Sequence, residues 1–246
     1  MKILFRLVAI TMLSALVIFA TANAFFGHDD QRPGNQEIIV LLHGLGRNNT
    51  SMWLLASRLE DAGYFVQRVG YSSLDQTPEE ILKDVSAQIN RCCQQHAQSV
   101  HFVGHSLGGL MIRAYLQENK VDKLGRVVLL GTPNKGTEAV DHFSDGWLID
   151  LLGPTAKALG TDAKSFPNSL EPPYYPVGII AGERKNKLID PVIPGRDDGV
   201  VPVESTKIDA MTDFVIIETS HTLMRYDREV ADQTLEFIKN GAFAKQ

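Results

Sequence analysis

This chain predicts an α/β fold built on a doubly wound, mainly parallel sheet, and three observations carry that prediction. Apolar runs of strand length alternate with helical patterns along most of the 246 residues. Several runs are continuously apolar rather than alternating, as strands buried on both faces require. One of them, Val100 to Val103, passes into the helix start Leu107, Leu110, Met111 with almost no loop, through Gly104-His105-Ser106-Leu107-Gly108.

The first residues stand apart. Lys2 and Arg6 precede an almost wholly apolar segment, Leu7 to Ala20, and Ala22-Asn23-Ala24 follows. A charged start, an apolar stretch of about 14 residues and a small-x-small site describe an export signal cut after Ala24. A spanning helix needs about 20 apolar residues, so an uncleaved anchor is the alternative. Residues 1–24 are therefore read as a signal segment, 25–36 as a polar lead-in and 37–246 as one domain. The expected location is periplasmic or secreted.

Glu37 to Leu42 reads as a buried strand. Thr50 to Ala62 has helical spacing (Met52, Leu55, Ala56, Leu59) and stops at Gly63. Phe65 to Tyr71 reads as a strand. Pro78 to His96 reads as a helix, with Thr77 as N-cap, Pro78 in the first turn, and Glu79 and Glu80 on the positive end of its dipole. After the Ser106 turn and a helix to about Asn119 come strands at Arg126 to Leu130, Pro176 to Ala181 and Phe214 to Glu218. Tyr226 to Lys239 closes the chain as a helix. An insertion follows the strand ending near Leu130. Residues 133–175 hold no strand pattern and carry Trp147, Leu148, Leu151 and Leu152 on one helical face, a lid over a pocket or plain core beneath a cap.

Composition narrows the partners. A net charge of −5 without a basic stripe argues against nucleic acid. Glycine-rich phosphate loops and paired Cys/His metal spacings do not occur, so neither cofactor nor metal is expected, and two neighbouring aspartates do not argue a calcium. Cys92 and Cys93 are adjacent, with Cα atoms about 3.8 Å apart, closer than ordinary disulfides allow, so a disulfide is not expected.

A strand that turns abruptly into a helix strains its turn residue, and the glycines two before and two after Ser106 remove side chains that would clash. The serine hydroxyl then stands exposed at the carboxyl edge of the sheet. It needs a base, and of seven histidines only His221 follows the last strand and precedes the last helix. The acid lies between them in chain order. Asp198, before Gly199 and the apolar Val200-Val201, is preferred. Asp197 stays open, and Glu183 and Asp190 share the interval.

His43-Gly44-Leu45-Gly46, Gly104-His105-Ser106-Leu107-Gly108-Gly109, Gly131 to Gly136, Asp198 to Pro202 and His221 run in that order. Together they resemble the α/β-hydrolase superfamily, and more narrowly the bacterial lipases and esterases similar to the GPI-inositol deacylases. The resemblance implies a carboxylic-ester hydrolase acting through an acyl-enzyme on lipid-like or medium-chain esters. Ser106, Asp198 and His221 would be its catalytic residues. The backbone N–H groups of Leu107, just after the nucleophile, and of Leu45 would form the oxyanion hole. His43 would brace its loop, and Gly131 to Gly136 would hinge the insertion. Peripheral contact with a membrane suits a lipid ester. An acyltransferase, thioesterase or amidase with the same triad, and a binding protein that kept only the fold, are the other readings.

Overall fold

The structure is a computed structural model, and it describes residues 36–93, 98–143, 152–184, 193 and 195–245. Residues 1–24, where a signal segment is expected, most of the expected lead-in, and Trp147, Leu148 and Leu151 lie outside the described residues. Among the described residues no helix is long and apolar enough to cross a membrane.

Six parallel strands form one sheet in the order β2-β1-β3-β4-β5-β6. They are β1 (Ile38–Leu42), β2 (Phe65–Val69), β3 (Val100–His105), β4 (Leu124–Leu130), β5 (Val177–Gly182) and β6 (Asp213–Ile217). The long helices are α1 (Trp53–Asp61), α2 (Pro78–Cys93), α3 (Leu107–Glu118) and, last in the chain, α8 (Arg228–Asn240). Alternate strand residues supply two cores. Val40, Leu42, Phe102 and Ile179 meet Ile81 and Val85 of α2 and Leu110 of α3. Ile39, Leu41, Val128 and Ile217 meet Leu55 of α1 and Val230 and Phe237 of α8. Burial on both faces is why the strand sequences are continuously apolar.

This order fixes where a ligand can bind. The chain runs from β1 outward to β2, then crosses to β3 on the other side of β1. The carboxyl ends of β1 and β3 therefore flank a crevice at the point where the winding reverses. Leu42 lies beside Gly104 there, so the loop after β1 and the turn carrying Ser106 are neighbours.

Local chemistry accounts for the helix ends and for several boundary shifts. Thr77 and Glu80 exchange a reciprocal capping box, Thr77 N–H to Glu80 Oε2 at 2.9 Å and Glu80 N–H to Thr77 Oγ1 at 3.3 Å. Asp227 caps α8 by accepting the N–H groups of Glu229 and Val230. A 3₁₀ turn, Asn49–Met52, precedes α1. β2 ends at Val69 rather than Tyr71 because Gly70 pairs with the Gln88 side chain and Tyr71 with His43. β4 starts two residues early and is irregular beside His101, whose Nδ1 accepts the Arg126 N–H at 3.0 Å in place of a ladder bond.

Among the described residues the insertion holds three short helices, α4 (Glu138–Phe143), α5 (Gly153–Lys157) and α6 (Phe166–Ser169). Arg113, 4 % exposed on α3, fastens it by donating to Asn134 Oδ1 at 3.0 Å and to the carbonyl oxygens of Leu170 and Glu171. Asn134 donates onward to the Thr206 carbonyl at 2.6 Å, in α7 (Val203–Thr206).

The cysteine expectation is corrected. Cys92 and Cys93 are disulfide-bonded to each other at the end of α2, their Cα atoms 3.7 Å apart. Ordinary bridge spacing does not apply to adjacent residues, which close a small ring through the peptide between them.

Candidate active site

Ser106 has φ 56° and ψ −123°, and it is the one non-glycine residue with positive φ among those described. That conformation strains a side-chain-bearing residue, and such strain is held only where the surroundings determine it. The surroundings are tight. A Cβ at Gly104 would sit 2.6 Å from the Gly109 nitrogen, and one at Gly108 would sit 2.5 Å from the Leu42 carbonyl oxygen. Both glycines are thus required for α3 to start this close to β3 and β1. The turn lifts Ser106 Oγ to the carboxyl edge.

There it meets His221. Ser106 Oγ lies 3.0 Å from His221 Nε2, and His221 Nδ1 lies 2.7 Å from Asp198 Oδ2. With Nδ1–H donating to the carboxylate, Nε2 is free to accept the serine proton. Asp198, 1 % exposed, is itself fixed. Its Oδ1 accepts the N–H groups of Val200 at 3.0 Å and Val201 at 2.8 Å. Its carbonyl accepts the His221 N–H at 2.8 Å.

The two aspartates left open by spacing are separated by geometry. Asp197 points away from the imidazole; its Oδ1 takes Arg184 Nη2 and the Gly199 N–H, each at 2.8 Å. Glu183 pairs with Arg196. Asp190 lies outside the described residues.

The loop after β1 leans on the Ser106 turn. A Cβ at Gly44 would sit 3.1 Å from Ser106 Cβ, tighter than most such contacts, so a side chain there would crowd Ser106. Leu45 follows it, and Leu107 follows Ser106 as the first residue of α3. The N–H groups of both find no acceptor among the described residues, as donors awaiting a ligand oxygen would. His43 is fully buried and stacks on Tyr71 with ring centroids 4.0 Å apart. It holds the Gly44 carbonyl through Nδ1 at 2.9 Å and takes the Tyr71 N–H at Nε2. Burial keeps its pKa below the usual histidine value, matching this neutral tautomer.

Three contributions to the site were not read from the sequence. His105, 3 % exposed, donates from Nε2 to the His221 carbonyl at 2.9 Å, with its ring 4.8 Å from that of His221. Burial first, and the charge His221 can carry second, push its pKa well below the usual value, so it stays neutral. His221 is thereby gripped at its N–H by Asp198 and at its carbonyl by His105. The other two are Arg225, four residues after His221, and Arg47 in the loop after β1. Both line the cavity beside Ser106.

That cavity holds about 400 Å³, and most of its wall is apolar: Val140, Leu152, Ala156, Leu159, Val200 and Val201 take part. Leu152 is the member of the expected apolar cluster that lies among the described residues. The insertion thus contributes wall to the cavity through α4, α5 and their flanks, and Thr137 Oγ1 ties it to the loop of Asp198 by donating to the Val200 carbonyl at 2.6 Å. Among the described residues no group of three or more His, Cys, Asp or Glu side chains is placed to hold a metal ion.

The family model described as palmitoyl protein thioesterase matches residues 38–170, more than half of the chain. No curated protein sequence matches it significantly. In solved structures the fold is similar to the mature lipase BlEst2 of Bacillus licheniformis, with a TM-score of 0.69 and 19 % identity over 87 % of this chain and 94 % of that one. It is similar to the lin2722 gene product of Listeria innocua, with a TM-score of 0.56 and 19 % identity over 86 % and 96 %. An extracellular α/β-hydrolase from a Paenibacillus species gives a TM-score of 0.53 and 16 % identity over 81 % and 97 %. The six-stranded parallel sheet with helices on both faces is the α/β-hydrolase fold.

Proposed function

The chain belongs to the palmitoyl protein thioesterase family, and on that premise we propose a serine hydrolase that cleaves acyl esters or thioesters through an acyl-enzyme. One observation carries the reading: a strained Ser106 in hydrogen-bond contact with a His221 that Asp198 orients, opening on an apolar cavity. Ser106 Oγ attacks the acyl carbonyl as its proton passes to His221 Nε2. The oxyanion takes the N–H groups of Leu45 and Leu107. His221 then returns the proton to the leaving oxygen or sulfur, and water, deprotonated by the same imidazole, frees the acid. Asp198 stabilises the imidazolium that forms in each half. Turnover of an acyl p-nitrophenyl ester and an S-acyl thioester tests this. Analysis of products with added alcohol separates hydrolysis from acyl transfer: free acid alone supports a hydrolase, and accumulation of the alkyl ester a transferase.

The apolar cavity supports a medium-chain acyl group as the substrate part bound there. Each buried methylene contributes about 0.8 kcal/mol. Ala139 is partly exposed on the cavity wall, and Ala139→Phe fills that space. The ratio of kcat/KM for an eight-carbon over a two-carbon ester is expected to fall at least about tenfold. An unchanged ratio places the acyl chain elsewhere.

The export reading rests on residues 1–24 of the sequence. The exported protein is expected to begin at Phe25, which intact-mass measurement reads directly; a species retaining Met1 in the membrane fraction favours the anchor.

A further inference from the structure

Among the described residues, Arg225 is a buried cation with no carboxylate partner. It is 5 % exposed, its Nε and Nη1 atoms are buried with no hydrogen-bond acceptor, and its guanidinium lies 4.8 Å from the Tyr226 ring centroid. A buried charge left in this way is costly unless a ligand completes it. Arg225 lines the apolar cavity with Ser106 and His221, and it also lines a neighbouring, more polar cleft. Arg47, exposed, is the other arginine shared by the two. The cleft adds Thr50, Ser51 and Ser73. Its carboxylate among the described residues, Asp75, is engaged by the Ser72 hydroxyl at 2.7 Å.

The apolar cavity that holds Ser106 and the polar cleft therefore share Arg47 and Arg225 in their linings. We propose that the site takes acyl esters whose leaving group carries a phosphate, the acyl chain lying in the apolar cavity and the phosphate between Arg47 and Arg225. Paired planar guanidiniums offer the forked donors and the double charge that a phosphate group matches. This assignment rests on reading Ser106 as the nucleophile, because that sets which part of the substrate departs. In the reaction the acyl C–O bond breaks, and water supplies hydroxyl to the acid and a proton to the phosphate-bearing alcohol.

The test uses the full chain carrying Ser106→Ala, so that binding is read without turnover. Dissociation constants are measured for 1-lauroylglycerol 3-phosphate, for 1-lauroylglycerol, both below their micelle concentrations, and for inorganic phosphate. The phosphate-bearing ester is expected to bind at least tenfold more tightly than the neutral one. Adding Arg47→Gln, at an exposed position, should remove most of that preference. Adding Arg225→Lys, which keeps the buried charge but loses the fork, should weaken it. Equal affinity for the two esters overturns the proposal. So does inorganic phosphate binding as tightly as the phosphate-bearing ester, which would make this a free-phosphate site. Wild-type turnover of both esters is followed in parallel. Retained phosphate preference without any turnover would refute the hydrolase reading and still support the anion site.

Discussion

Ser106→Ala is expected to lower kcat/KM for a short p-nitrophenyl ester by more than about a thousandfold, the scale of removing the nucleophile from a coupled triad. Its melting temperature should stay close to that of the wild type. Alanine keeps the Cβ, so the positive φ of residue 106 and the packing of Gly104 and Gly108 around it are unchanged. Among the described residues the hydroxyl that is lost hydrogen-bonds to the His221 ring. Retained activity in a preparation free of contaminating esterase would sink the nucleophile assignment. A large fall in melting temperature together with activity would mean that Ser106 supports the turn rather than the chemistry.

Asp198→Asn carries the second large effect, a loss of roughly a thousand- to ten-thousandfold in kcat. The carboxylate oxygen 2.7 Å from His221 Nδ1 becomes an amide group. An amide NH₂ turned toward Nδ1 leaves the ring proton on Nε2, where it cannot accept from Ser106. Asp197→Asn should act differently. Asp197 is fully buried and pairs with Arg184, whose side chain is 34 % exposed. Weakening that pair should lower the melting temperature, with kcat falling far less than in Asp198→Asn. Comparing kcat and melting temperature of the two variants decides between them, and a reversed order would make Asp197 the acid.

Much of this was legible in the sequence because the signals are local. Continuous apolar runs report burial on both faces wherever they occur, and all six strands fall within two residues of their expected bounds. The Ser106 turn is a local event as well: two glycines, a strand before and a helix after. Chain order singled out His221. What the sequence left open is what depends on side-chain direction between residues far apart in the chain. Asp197 and Asp198 are neighbours with the same charge, and only the turn at Gly199, folding Val200 and Val201 onto Asp198 Oδ1, aims one of them at His221.

The same limit hid His105 and Arg225. His105 reads as one more residue of the elbow, and its grip on the His221 carbonyl spans 116 positions. Arg225 reads as an ordinary surface charge, since nothing in its neighbours announces that it is 5 % exposed. Arg113 is missed for the opposite reason. Its helix is apolar almost all round, and its carbonyl acceptors come from residues 134, 170 and 171. The cysteine pair was misjudged by applying the spacing of ordinary bridges to adjacent residues.

The central claim is that Ser106 is a nucleophile activated by His221. Labelling the folded protein with a fluorophosphonate and mapping the adduct by peptide mass spectrometry tests it most directly. Near-stoichiometric labelling on the peptide containing Ser106, lost in Ser106→Ala and strongly slowed in a His221→Ala variant that still melts cooperatively, is the result predicted. No labelling of the folded protein, or an adduct that persists in Ser106→Ala, would contradict it.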